Sequence, residues 1–301
     1  MVIPNQLLHY DAERGIEIAI KREDLIHPFV SGNKYRKLKY NLIQATALGH
    51  NSLLTFGGAY SNHIAAVAFA GKEQRFRTIG IIRGDELGGQ VASNPTLQFA
   101  KDCGMELLFV TREQYRLKQD PDFQQQLSAQ FGDFYLIPEG GTNRLAVKGC
   151  EEILTETDAQ FDYICCAVGT GGTIAGIINS ALPQQKVLGF PALRGGFLNN
   201  EICNFAPEGN WELINDYHFG GYAKVTADLI EFINKCYKNS KIPLDPVYTA
   251  KMAFGVIDLL EKGFFPKNSK ILLIHTGGIQ GIKGMNLRLQ NKQQPTIEIN
   301  V

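Results

Sequence analysis

The chain has 301 residues, 44% hydrophobic and 20% charged, a balance that excludes a largely disordered polymer and supplies core for one large α/β domain or two modest ones. Its 30 Lys and Arg residues equal its 30 Asp and Glu residues, so no global charge draws it to nucleic acid or to an anionic membrane surface. No apolar run approaches the ~18 residues of a membrane span, and the start, MVIPNQLLHYDAERG, lacks the basic and apolar parts of a signal peptide, which predicts a cytoplasmic protein.

Short runs rich in β-branched residues predict strands at 16–20, 52–56, 78–82, 106–110, 134–137, 162–168, 186–190 and 271–275. Between them, Leu38, Leu42 and Ala45 share one helical face, and Leu229, Phe232, Ile233 and Cys236 share another. Strands separated by helices need crossover connections and a mostly parallel sheet, so the fold class is α/β. The glutamines at 124–126 beside Pro121 read as the solvated face of a polar helix, and no linker marks a domain boundary. Of the six cysteines, none forms a C-x-x-C pair; buried reduced thiols are expected, with no metal site.

Four segments carry chemistry. In Ser31-Gly32-Asn33-Lys34-Tyr35-Arg36-Lys37-Leu38 a helix begins, with Lys34 in its first turn. There the helix dipole disfavours an ammonium ion and so favours an amine fit for imine chemistry. A basic solvated face of Lys34, Arg36, Lys37 and Lys39 is the plainer reading of the same residues. Strand 52–56 empties into Gly57-Gly58-Ala59-Tyr60-Ser61-Asn62-His63, where Ser61 or Asn62 caps the next helix and the amides suit a carboxylate. Simple capping explains that loop equally well, and His63 alone reads as a helix-start histidine.

Strand 162–168 runs into Gly169-Thr170-Gly171-Gly172-Thr173 and an apolar helix, an arrangement that holds phosphate on unpaired amides. Ile174 stands where a dinucleotide fingerprint needs glycine or alanine, and no acid occurs in 188–200, so the loop suits one phosphate rather than an adenine dinucleotide. A tight strand–helix turn needs the same glycines. Thr276-Gly277-Gly278 after the last strand reads as a turn. Two anion pockets and a poised lysine together fit a phosphate-bearing aldehyde cofactor and an amino-acid carboxylate.

In these segments the chain resembles the fold type II pyridoxal-phosphate enzymes, within them the family of D-cysteine desulfhydrase and 1-aminocyclopropane-1-carboxylate deaminase. The matching stretches are KREDLIHPFVSGNKYRKL (21–38), GGAYSNH (57–63), PEGGTN (138–143), GTGGTIAG (169–176), HFGGYAK (218–224), LDPVYTAK (244–251) and HTGG (275–278). The resemblance implies a tryptophan-synthase-β-like α/β fold with two open, twisted, mostly parallel sheet domains. Residues 1–46 and 148–301 then form a large cofactor-binding domain and 47–147 a small one, with the active site in the cleft and a homodimer as the assembly.

The same resemblance implies pyridoxal 5'-phosphate carried by Lys34 through an imine, with its phosphate on Gly169, Thr170, Gly171, Gly172 and Thr173 and its ring hydroxyl on Asn62. The amides of Ser61, Asn62 and His63 receive the substrate carboxylate, and Tyr222 and Tyr248 flank the substrate to move protons. Lys34, Ser61, Tyr222 and Tyr248 form the implied catalytic set. Thr249 falls where cyclopropane-opening members resemble DPVYE; a hydroxyl there binds an unprotonated pyridine nitrogen, a weaker electron sink suited to β-elimination. If Thr249 only caps the helix beginning near Tyr248, that reasoning lapses. Tyr60 replaces the glutamine of the family's GGIQSNH, and Ile64-Ala65-Ala66 replaces its Thr-Arg-Gln, changes that bear on the shape and polarity of the pocket.

The expected activity is α,β-elimination of D-cysteine, or a related β-substituted amino acid, to pyruvate, ammonia and sulfide. The alternatives are deamination of 1-aminocyclopropane-1-carboxylate to 2-oxobutyrate and ammonia, and a racemase or dehydratase acting on serine-like substrates. Outside enzymes stand a regulator that binds cofactor and amino acid without turnover, and a phosphate-sugar or nucleotide binder that uses the GTGGT loop alone.

Overall fold

The computed structural model describes residues 3–196 and 198–300. Its strands, in chain order, are β1 (Asn5–Asp11), β2 (Ile16–Lys21), β3 (Ser52–Gly57), β4 (Arg77–Arg83), β5 (Glu106–Val110), β6 (Tyr135–Ile137), β7 (Tyr163–Val168), β8 (Lys186–Pro191), β9 (Trp211–Leu213) and β10 (Lys270–Ile274). They form a six-stranded sheet of order β1-β2-β10-β7-β8-β9 and a four-stranded sheet of order β5-β4-β3-β6. Every pairing is parallel except β1 with β2.

Each strand read from the sequence is present, its ends shifted by no more than one residue. The two additions are edge strands, β1 and β9. β1 reads NQLLHYD with mostly exposed or half-buried side chains, and β9 is three residues long, so neither carries the apolar run that marks a covered strand. The central strands do. In β7, Cys165 joins the core on one face of the large sheet with Leu188, Leu273 and Met252, while Cys166 joins the other with Ile164, Ile174 and Leu272. Neighbouring cysteines on opposite faces are the period of two expressed in one dipeptide. All six cysteines are free, and Cys150, Cys165 and Cys166 are buried; Cys203 is exposed, contrary to the expectation of uniformly buried thiols, because it ends a short surface helix, Leu198–Cys203.

The predicted helical faces lie in the helices Asn33–Ala47 and Ala227–Ser240. Leu38 and Ala45 are buried with Leu53 and Ile64 in the core of the four-stranded sheet, Leu42 against its edge. Leu229 and Ile233 are buried beneath the six-stranded sheet. The glutamine stretch lies on helix Pro121–Phe131, with Gln125 and Gln126 exposed. Among the described residues, no helix is long and apolar enough to cross a membrane.

Helix Asn33–Ala47 lies against helix Arg144–Cys150 with almost no clearance: a β-carbon on Gly149 would sit 2.0 Å from the Arg36 carbonyl oxygen. Backbone atoms cannot yield as a flexible side chain can. Gly149→Ala is therefore expected to destabilise the fold by about 1–3 kcal/mol, the usual cost of overpacking, measured by equilibrium urea unfolding.

Candidate active site

Three strands end at one place. The carboxyl ends of β3, β7 and β10 deliver the loops at 57–62, 169–171 and 275–278 to a cavity of about 370 Å³, the position where open parallel sheets bind ligands. Lys34, Ser61, Asn62 and His63 line it, as do Gly169, Thr170, Gly171, Thr173, Tyr222 and Tyr248. Gly172 and Thr249, from the set read in the sequence, lie outside the lining.

Lys34 reaches this cavity because the turn before its helix is pressed onto the loop after β10. Gly32 has φ +60°, and a β-carbon there would lie 2.1 Å from the Thr276 carbonyl oxygen. Only glycine satisfies both demands. The Asn33 side-chain amide then donates to Thr173 Oγ1 at 2.8 Å, tying the start of the Lys34 helix to the start of helix Gly172–Ser180.

The basic-face reading of 34–39 does not hold. Arg36 makes two 2.9 Å hydrogen bonds to the fully buried Glu23 carboxylate, and Lys37 is 2% exposed; only Lys39, paired with Glu152, keeps a surface position. Lys34 and Lys37, three residues apart and so on one helical face, both donate from Nζ to the Gly140 carbonyl, at 3.2 and 3.0 Å. Burial, then the neighbouring Lys37 charge, holds the Lys34 amine well below its ordinary pKa, and burial lowers Lys37 as well. Lys37 also donates to Thr142 Oγ1 at 3.0 Å, which leaves the Thr142 hydroxyl to donate to Thr170 Oγ1 at 2.6 Å. A β-carbon on Gly172 would meet that Thr142 side chain at 2.8 Å, so this glycine serves close packing under the loop.

The opposite wall is the start of helix Asn62–Gln74. Ser61 is its N-cap, its hydroxyl accepting from the Ile64 amide at 3.3 Å. Asn62 Oδ1 accepts from Gln280 Nε2 at 3.1 Å, which leaves the Asn62 NH₂ as the available donor. His63 is buried; the Thr55 hydroxyl donates to the Ile137 carbonyl and lies 2.8 Å from His63 Nε2. With the Thr55 hydrogen thus directed, the tautomer protonated on Nε2 satisfies this contact, and Nδ1 is a buried nitrogen with no hydrogen-bond partner among the described residues. Burial and the two lysines push the ring far below the usual histidine range, so it stays neutral.

Tyr60, at the unusual position, turns away: its ring packs on Gly284, where a β-carbon would come within 2.6 Å of Cδ1. Of the residues replacing Thr-Arg-Gln, Ala66 lines the cavity as an apolar wall.

Tyr222 and Tyr248 meet edge to face with ring centroids 6.2 Å apart. Burial raises both phenols, Tyr248 well above its ordinary value, so both stay protonated at neutral pH. Thr249 begins its helix outside the cavity lining, bound to Asp245. Its hydroxyl donates to Asp245 Oδ1 and accepts from the Asp245 amide, each at 2.8 Å, while its own amide donates to Asp245 Oδ1 at 2.7 Å. That reciprocal box uses the hydroxyl fully, and the electron-sink reasoning attached to it lapses.

Sequence reasoning missed Asn33, Lys37, Gln280, Arg83 and Glu139. The three-residue spacing of Lys34 and Lys37 was a usable signal for one of them; the others come together only through packing. Arg83 lines the cavity beyond Gly58, its guanidinium 5.8 Å from the Tyr115 ring centroid. Glu139 accepts from the Tyr115 hydroxyl at 2.7 Å and lies 3.4 Å from Lys118 Nζ.

These groups fit pyridoxal phosphate. Glycine amides and a helix start can take a phosphate whose charge Lys37 balances, the Asn62 amide can donate to a ring hydroxyl, and Lys34 supplies an amine whose pKa burial lowers well below its ordinary value. A sequence profile described as pyridoxal-phosphate dependent enzyme matches residues 3–277. The chain is similar to a crystal structure described as that of an ACC deaminase homologue, at 32% identity and a TM-score of 0.81, over 96% of this chain and 93% of that one. It is 30% identical to the mitochondrial bifunctional D-cysteine desulfhydrase/1-aminocyclopropane-1-carboxylate deaminase of Arabidopsis thaliana, over 89% of this chain and 74% of that protein. With D-cysteine desulfhydrase of Klebsiella pneumoniae it shares 28% identity over 88% and 87% of the two chains.

A lysine whose folded pKa lies below its ordinary 10.5 holds fewer protons folded than unfolded between those two values. Stability therefore rises with pH across that window, and the burial penalty is felt in full below it. In protein freed of cofactor, Lys34→Met should raise Tm at pH 7, by roughly 2 °C for each kcal/mol relieved. The gain should shrink as pH approaches 10.5, as followed by calorimetry.

Proposed function

The chain belongs to the pyridoxal-phosphate-dependent enzymes, and from that premise we propose that it is a lyase that converts D-cysteine and water to pyruvate, ammonia and hydrogen sulfide. The observation that carries this reading is the buried Lys34 amine in one cavity with the 169–171 loop and the Tyr248 phenol. Under the same proposal Lys34 holds the cofactor, the 169–173 turn and Lys37 bind its phosphate, Asn62 meets its ring hydroxyl and the Ser61–His63 turn takes the substrate carboxylate.

When bound, pyridoxal phosphate supplies an electron sink for the pair left at the α-carbon. Lys34 Nζ, its pKa lowered by burial, serves as the base for the α-proton under this reading. Tyr248, held protonated, is the donor placed for the departing sulfur, and Tyr222 packs beside it. His63 Nδ1 accepts a hydrogen bond without carrying charge.

Deamination of 1-aminocyclopropane-1-carboxylate is the second reading, supported by the Arabidopsis relative whose description joins both activities. The proposal also takes 47–147 as a smaller domain inserted in a larger one, since β3 to β6 all fall inside that range, with helix Asn33–Ala47 bridging the two. A cytoplasmic homodimer is the assembly it takes from the family resemblance.

Holoenzyme given D-cysteine, L-cysteine, D-serine and 1-aminocyclopropane-1-carboxylate separately should release sulfide and pyruvate from D-cysteine. Formation of 2-oxobutyrate alone replaces the reading by its alternative, and a spectral change without product replaces it by a regulator. Tyr248→Phe is expected to lower kcat by about 10²–10⁴-fold with cofactor content unchanged. Borohydride should fix cofactor to the peptide bearing Lys34, and Lys34→Ala protein should retain none after denaturation.

A further inference from the structure

We infer that Lys251, on helix Thr249–Glu261, and Arg288, on helix Gly281–Gln290, are positioning residues that clamp the 218–224 turn and so hold Tyr222 against Tyr248. Tyr222's part in the chemistry rests on the function proposed above; the clamp rests on its contacts. Lys251 is 2% exposed, yet its ammonium meets no carboxylate among the described residues. It donates instead to the His218 carbonyl at 2.9 Å and the Gly221 carbonyl at 2.8 Å. Arg288 Nη1 donates to the Ala223 carbonyl at 2.9 Å.

The turn needs such an anchor. Phe219, Gly220, Gly221 and Ala223 all have positive φ, at 52°, 90°, 113° and 53°, and left-handed backbone at Phe219 and Ala223 is strained. Tyr222 is 45% exposed, so its own packing gives it little hold. The His218 carbonyl already accepts from the Gly221 amide and the Gly221 carbonyl from the Lys224 amide. Lys251 thus stitches together two successive turns at the oxygens that close them. Phe219 adds an apolar pin, edge-on to Phe254 of the Lys251 helix with centroids 5.0 Å apart. Since that helix begins beside Tyr248, one rigid element presents Tyr248 and anchors its partner. Burial moves the Lys251 ammonium down to about 8, which leaves it charged at neutral pH, where charge-assisted bonds are the stronger kind.

The test compares holoenzyme with Lys251→Met, which keeps the buried volume, and with Arg288→Met and Arg288→Lys. Amide hydrogen exchange at 219–224 should quicken about tenfold in Lys251→Met and measurably in Arg288→Met, and return toward the parent rate in Arg288→Lys. For whichever substrate the protein turns over, kcat should fall in Lys251→Met with cofactor affinity unchanged. Adding Tyr222→Phe should then cost less than it does in the parent, because the lysine acts through that tyrosine. Exchange needs no substrate, so an inert response to D-cysteine removes the functional reading and leaves the clamp decidable. Folded variants with parental exchange at 219–224 overturn the clamp; additive losses in the double variant overturn the link to Tyr222. Should Lys251→Met fail to fold, the Arg288 pair decides alone.

Discussion

Two amines directed at one carbonyl oxygen organise this site. Lys34 and Lys37 share Gly140 O, with Lys37 buried and Lys34 half-buried on the cavity wall, and no carboxylate among the described residues pairs with either. Burying like charges together is unfavourable unless an anion answers them or one group gives up its proton. The surroundings provide for both. A helix start with glycine amides, an arrangement able to receive an anion, lies within the same cavity, and burial lowers the Lys34 amine well below its ordinary pKa. His63 joins the logic as a neutral acceptor, since a third positive charge there would compound the problem.

Close backbone approach gives that electrostatic arrangement its geometry. Gly32 lets the Lys34 turn sit on Thr276, Gly149 lets the Lys34 helix sit on its neighbour, and Gly172 admits Thr142 beneath the 169–173 loop. The Asn33–Thr173 bond then joins two helix starts that are 140 residues apart in sequence. Around this fixed wall the other components are held from a distance: Gln280 orients Asn62, and Asp245 shapes the entry to the helix that presents Tyr248. The same helix reaches back through Lys251 to the turn carrying Tyr222, so both phenols share one support.

Much of the fold was legible in the chain. β2, β3, β4, β7, β8 and β10 announced themselves as apolar β-branched runs because the faces of an interior strand are buried, and β5 and β6, edges of the smaller sheet, are apolar enough to be read as well. β1 and β9 did not, since an edge strand with mixed polarity carries no such mark. The glycine loops and Lys34 were readable as motifs. Thr249 was misplaced for a local reason: DPVYT specifies a threonine near the site, but the Asp245 capping box claims its hydroxyl first. Lys37 looked like surface charge because composition does not reveal which lysine a distant segment, here Gly140 and Thr142, will cover.

By itself, the sequence determined an alternating α/β chain and marked a lysine at a helix start and two glycine-bearing turns as candidates for chemistry, all encoded within spans of a few residues. Only the tertiary structure decided which of those elements face one another: Lys34 with Gly140, His63 Nδ1 bare beside the lysines, Tyr60 on Gly284 and Lys251 on the Tyr222 turn. Burial and charge are properties of surroundings assembled from distant segments, and so no local pattern could have stated them.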